Sequence, residues 1–319
     1  MKQDRIHILD ILRGFALIGI LAANIPGIAQ MPIPAAGESG RVIYDFIELG
    51  VEQRFFPIFC LLFGIGFYIF MRNAQEKGTS PYWLMARRLG LLAVFGILHQ
   101  ILQPGEAFLI YAIVGFIVLA LYKLSPKGLF IATGVFLALF GFLQVEQLII
   151  PAMFCFGMFL GKIAYFENRK KFRKTTFITW IVSLAFIGPA VWAQVNISLP
   201  IWPSPLATAA GLVIAIALVT SILLLPKSET ILAWLAPFGR LALTHYITQT
   251  IIVYAVSRAI PGLTYASIPV IWIAILGIQI PLSAIWLRYF EYGPLEWLWR
   301  WGTYLSTPRI IRRTELQTA

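Results

Sequence analysis

Charge is what this chain of 319 residues has least of. Asp, Glu, Lys and Arg make up 12% of it, against about 25% in a soluble domain. With 59% hydrophobic residues and a mean hydropathy of +0.81, that shortage excludes a soluble enzyme, a disordered chain and a nucleic-acid-binding domain. Cysteine is almost absent. Cys60 and Cys155 sit alone in apolar runs and provide neither a disulfide framework nor a thiolate metal site. Histidine is confined to His7, His99 and His245, too few imidazoles for a protein-ligated zinc, haem or iron–sulfur centre. No metal and no permanently bound cofactor is expected. The net charge of +11, on so apolar a chain, points to membrane orientation and not to nucleic acid.

Long apolar runs are present in quantity. A helix needs about 20 mostly apolar residues to cross the hydrocarbon core. Ten such stretches are predicted: 7–28, 50–71, 84–103, 107–123, 127–145, 148–165, 176–195, 206–225, 239–258 and 268–288. Prolines punctuate their ends, among them Pro81, Pro104, Pro126, Pro200, Pro203, Pro205, Pro226 and Pro261. The expected fold is an all-α polytopic membrane bundle, one membrane domain over 1–319. It has a six-span part (1–165) and a four-span part (166–319) that ends in an interfacial tail rich in Trp and Arg over 292–301.

Lys and Arg set the orientation. With both termini in the cytoplasm, only Arg41, Arg54 and Arg258 of the 25 basic residues fall outside; Lys2, Arg5, the run 169–174 and Arg313 fall inside. Glu38, Asp45, Glu48, Glu52, Glu106 and Glu146 all fall outside, leaving that side acidic. Asp10 and Arg13 interrupt the first apolar run and argue against a cleaved signal peptide. The expected location is the bacterial cytoplasmic membrane, with lipids as neighbours.

Ionisable groups inside spans are costly and so are candidate functional groups. Asp10 and Arg13 share a helix face near the inner end of span one, either as an i,i+3 ion pair or as a site for a charged cytosolic ligand. Gly14 and Gly19 allow a neighbouring helix to come close. His99 lies 12 residues beyond Arg87, about 18 Å along the helix. The turn Gln103-Pro104-Gly105-Glu106 follows it and brings a carboxylate to the same depth. A His oriented by an acid is a general-base arrangement. Asn24, Glu52 and Arg54 match that outer level, and Tyr111 lies just inside it. Asn24, Arg54, His99 and Glu106 are therefore expected to face one cavity. Thr244, His245, Thr248 and Gln249 form a polar stripe, read either as an interhelical hydrogen-bond seam or as a second substrate contact at His245. The basic run 168–174 suits topology, anionic lipid or a phosphate group.

Several motifs resemble the YeiB family of bacterial multispan membrane proteins: LDILRGFALIGILAANI (9–25), RFFPIFCLLFGIGFYIF (54–70), RRLGLLAVFGILHQ (87–100) with GEAFLIYAIVG (105–115), GRLALTHYITQTII (239–252) and GPLEWLWRWGTY (293–304). His245 stands where relatives often carry Asn. More distantly, the opening Leu12-Arg13-Gly14 and the ten-span plan resemble the transmembrane acyltransferase superfamily. That group includes heparan glucosaminide N-acetyltransferases and enzymes that O-acylate surface polysaccharides. Where many O-acylating relatives carry a His, this chain has Asn24, so the base moves to His99.

The resemblance implies an acyltransferase. Acyl-CoA is the co-substrate, met by Asp10, Arg13, Arg87 and Arg88. His99 and Glu106 are catalytic, and Asn24, Glu52, Arg54, Tyr111 and His245 contact a small-molecule, glycan or lipid acceptor. A homodimer is compatible with this reading. The alternative is a transporter or lipid-handling protein, with a helix broken at Gly64 and Gly66 in span two.

Overall fold

The computed structural model describes residues 6–197 and 205–312. Lys2, Arg5, Pro200, Pro203 and Arg313 lie outside the described residues. Helix dominates throughout. In chain order the helices are α1 (His7–Ile28), α2 (Arg41–Gly50), α3 (Phe56–Glu76), α4 (Pro81–His99), α5 (Ala107–Leu121), α6 (Pro126–Leu143) and α7 (Ile149–Lys162). They continue with α8 (Arg169–Asn196), α9 (Pro205–Leu224), α10 (Ser228–Ile231), α11 (Leu235–Arg240), α12 (Ala242–Ala259), α13 (Ile268–Tyr289) and α14 (Pro294–Tyr304). The single β feature among the described residues is an antiparallel bridge between Phe290 and Ile311.

A helix stands at each of the ten predicted stretches. Seven segments are long and apolar enough to cross a membrane unaided: α1, α3, α4, α6, α8, α9 and α13 with the turn before it. The other three have physical reasons for falling short. α5 has 15 residues and α7 has 14, about 21–23 Å of helix against a core of about 30 Å. α12 carries the polar stripe, and its predicted start at 239 is interrupted between Arg240 and Ala242. Prolines occupy the first turn of α3, α4, α6, α13 and α14, where the missing N–H breaks no hydrogen bond.

α1 is the central post, packed on α3, α11, α12 and α13. Gly14 faces α11 so closely that an added Cβ would lie 2.5 Å from the Leu235 carbonyl, and one on Gly239 would lie 1.9 Å from that of Asp10. Gly19, by contrast, accommodates the Phe55 ring and no helix backbone. α3 is unbroken, which corrects the expectation of a discontinuous helix at Gly64 and Gly66. Gly64 instead lets α7 approach to backbone contact at Phe154. The predicted outer loop 29–49 contains α2, whose one buried residue is Ile47 while Val42 and Phe46 lie on the surface. α1 packs on the C-terminal helices, so the six-span and four-span parts share one interior.

Arg13 near the start of α1, Arg88 in the first half of α4, Arg240 and Arg300 converge at one end of the bundle. Glu52 and Glu146 converge at the other, beside the end of α1 at Asn24 and the turn before α5. These are called the basic and acidic ends.

Candidate functional site

Two chambers enter the bundle, one from each end. The chamber at the basic end, about 270 Å³, is lined by Arg13, Arg88, Arg240, Arg300 and Glu296 and by apolar side chains such as Phe63, Phe67 and Leu243. The chamber at the acidic end, about 310 Å³, is lined by Asn24, Glu52, Gln53, Gln103, Glu146 and Tyr246, and no Lys or Arg is among its lining residues. Phe59, Phe108 and Tyr111 line both. A partition of three aromatic rings therefore stands between a cationic chamber and an acidic one.

Two glycines set His99 and Glu106 beside this partition. Gly105 turns the chain with φ +80°, a conformation costly for other residues. Gly96 on α4 faces the start of α5, where a Cβ would lie 2.5 Å from the Leu109 nitrogen and 2.6 Å from Glu106 Oε1. Glu106 then caps α5, accepting from the Phe108 and Leu109 N–H groups, each at 2.7 Å. His99 Nδ1 lies 3.5 Å from Glu106 Oε2, within ion-pair range. Both residues are buried, at 3% and 1% exposure. Neither ring nitrogen of His99 has a hydrogen-bond partner, and a buried polar group in that condition calls for an explanation.

The expectation that Asn24, Arg54, His99 and Glu106 face one cavity is corrected in part. Of these four, only Asn24 lines the acidic chamber, together with Glu52 and Tyr111. His99 is one ring behind the chamber wall, 5.2 Å from the Tyr246 centroid and 5.9 Å from that of Phe108. Arg54 is fully buried and donates to the Glu52 carbonyl and, at 2.7 Å, to Gln194 of α8. A guanidinium enclosed in this way seeks fixed acceptors, and these hold Arg54 outside both chambers. Tyr111 is pinned by its hydroxyl to Cys60 Sγ at 3.1 Å and by Phe63 and Phe154.

His245 lines neither chamber. Its Nε2 lies 2.6 Å from Ser283 Oγ and its ring packs on Phe238. Gln249 donates to Gln279, which donates to Thr248, so the polar stripe is the seam between α12 and α13. Asp10 is buried and pairs with Arg13 at 2.9 Å. It sits behind the basic chamber and holds the arginine that lines it. Arg87 lies over the exposed Trp83 ring, 5.1 Å from its centroid, and lines no chamber. Arg88 does line it, stacked 3.6 Å over Trp299.

Sequence reasoning missed Arg240, Arg300 and Tyr246. The arginines read as two more cytoplasmic charges, and their convergence depends on how α14 folds back. Glu296 of α14 accepts from Thr244 N at 3.0 Å and Thr244 Oγ1 at 2.6 Å, and Trp299 donates to the Arg88 carbonyl at 2.9 Å. The tail is thus docked onto the bundle end. Tyr246 adjoins His245 in sequence but reaches the Asn24 and Gln103 side chains in the acidic chamber. At that mouth, burial pushes the Glu52 carboxyl up to about 7. Glu48 beside it, by charge and hydrogen bond, and then Glu146 add to the rise, against the opposing pull of Arg54. Burial raises Glu146 as well.

Bundle and chambers define a polytopic all-α membrane protein with a partitioned polar interior. Residues 160–306 match a family model described as a protein of unknown function, DUF418. An uncharacterized 39.9 kDa protein in the amylase 3′ region of Bacillus acidopullulyticus is 33% identical, over 98% of each chain. The uncharacterized YxaH of Bacillus subtilis is 27% identical over 99% of this chain and 98% of its own, and the uncharacterized YeiB of Escherichia coli is 25% identical over 98% and 100%. The chain belongs to the YeiB family.

Proposed function

We propose that this protein is an integral acyltransferase of the cytoplasmic membrane, moving an acyl group from cytosolic acyl-CoA to an acceptor at the outer face. The observation that carries this reading is the meeting of two oppositely charged chambers at one aromatic partition, beside a buried His–Glu pair whose ring nitrogens are otherwise unpartnered. The basic end is assigned to the cytoplasm by the positive-inside rule. Arg13, Arg88, Arg240 and Arg300 suit the phosphates of coenzyme A, and the apolar lining of that chamber suits the acyl arm. Asn24 and Glu52 hold the acceptor hydroxyl or amine.

As the acceptor attacks the thioester carbonyl, its proton passes to His99. Glu106 steadies the imidazolium, and the Asn24 amide donates to the oxyanion. The carbon–sulfur bond then breaks and the proton goes to the departing thiolate. Tyr246 swings aside to let His99 reach the chamber.

The test is acyl-CoA consumption by the purified protein with candidate acceptors. His99→Ala is expected to lower the rate about 10²–10⁴-fold while the protein stays folded. Glu106→Gln, which keeps an oxygen to cap α5, costs less. His245→Asn leaves the rate nearly unchanged. Loss in His245→Asn with activity kept in His99→Ala would overturn the mechanism.

The same partition also fits a transporter in an occluded state, the one observation that favours a second reading. Solute movement into vesicles without acyl-CoA consumption would select it.

A further inference from the structure

α8 is long enough to cross the membrane yet buries only Thr176 and Ser183. It joins the bundle chiefly through α9, so most of its surface meets lipid. Between the basic-end halves of these two helices lies a groove of about 680 Å³. Arg173, Lys174, Phe177 and Trp180 line it from α8, Ser221 lines it from α9, and Leu225 lines it just beyond the end of α9. The α8 residues follow one another at helical spacing, so the groove runs about 10 Å from the two cations to Trp180. That is the distance from headgroup depth into the upper acyl region of one leaflet. Its floor is fixed: Trp180 donates to Ser221 Oγ at 2.8 Å, and Ser221 donates to the Ala217 carbonyl at 2.7 Å. Among the described residues, Arg169 is engaged by Glu229, whereas no ion pair with a carboxylate is found for Arg173 or Lys174.

We infer that this groove is a binding site for one anionic phospholipid, with the phosphate on Arg173 and Lys174 and an acyl chain laid along Phe177, Trp180 and Leu225. Charge complementarity selects the occupant. Two unneutralised cations above an apolar trough, open to the bilayer at interfacial depth, match a lipid that is negative at its head and apolar below. A zwitterionic lipid fills the trough equally but gains less from the cations. The site is separate from both chambers and does not depend on the acyltransferase reading.

The experiment is native mass spectrometry of the full chain released from nanodiscs holding equal amounts of dioleoyl-phosphatidylglycerol and dioleoyl-phosphatidylcholine. One retained phosphatidylglycerol per chain is expected. Arg173→Gln with Lys174→Gln, both at exposed positions, should lower the preference for phosphatidylglycerol about tenfold. Leu225→Trp fills the trough without altering charge and should lower retention of either lipid. Lys170→Gln with Lys171→Gln, which removes two cations just outside the groove, should leave the preference within twofold. Retention unchanged in either groove variant, or an equal loss in the Lys170/Lys171 variant, would overturn the site in favour of diffuse attraction to the basic patch.

Discussion

Glu52 lines the acidic chamber just before α3 begins, with its carboxyl raised to about 7 chiefly by burial. Its folded state therefore holds a proton more tightly than the unfolded chain does. The stability this contributes is complete below the ordinary carboxylate value of 4.5 and is lost as pH rises through 7. Glu52→Gln is expected to flatten the decline between pH 5 and 8 and to stabilise the protein at pH 8 by about 1–3 kcal/mol. Thermal melts in detergent at the two pH values check this, and an unchanged slope would assign the proton to another group. At His99 the question is access. Tyr246 covers it from the acidic chamber, so Tyr246→Ala should make His99 react several-fold faster with diethyl pyrocarbonate, read by peptide mass spectrometry. Equal rates in the two proteins would mean that the ring is not the barrier.

Among the elements, α14 closes one wall of the basic chamber. It is an 11-residue helix too short to span, and it supplies Arg300, Glu296 and Trp299 to the wall. The stack of Trp299 on Arg88 and the indole hydrogen bond to the Arg88 carbonyl tie it to α4. Burial raises the Glu296 carboxyl while the hydrogen bonds from Thr244 oppose that rise. Removing the indole in Trp299→Ala loses packing, a cation–π contact and one hydrogen bond, together about 2–4 kcal/mol. A lower melting temperature and faster proteolysis after residue 290 are expected. Unchanged protection of the C-terminal segment would show that the Thr244–Glu296 contacts hold α14 by themselves. The seam between α12 and α13 follows another rule. Polar side chains in an apolar bundle pair with one another across helices, which is why His245 is occupied by Ser283.

For the molecule as a whole, opposite charge at the two ends of the bundle has a topological consequence. Reporter fusions after Lys127 and Lys171 should read cytoplasmic, and one in the turn at Gly105 external. An external reading at Lys171 would break the alternation of sides on which the orientation rests. Family membership covers nearly the full chain, so chambers and partition alike are features to seek in the relatives.

Composition and run length by themselves determined that this chain is an all-α membrane bundle and where its ten main apolar helices lie, though not the short α2 and α14, because lipid permits few other solutions. Local spacing also placed His99 and Glu106 at one depth, since a short glycine turn joins the ends of two adjacent helices, but their approach to 3.5 Å belongs to the tertiary structure. Depth was legible for Asn24, Glu52 and Arg54, but facing was not. Arg54 lies at the expected level and is turned to Gln194, 140 residues further along the chain. Only the tertiary structure decided which polar groups line a chamber, because that depends on the rotation of each helix and on contacts far apart in sequence. It brought Arg13, Arg88, Arg240 and Arg300 to one chamber from four separate helix segments. It also placed Tyr246 and Phe108 between His99 and the space it would serve.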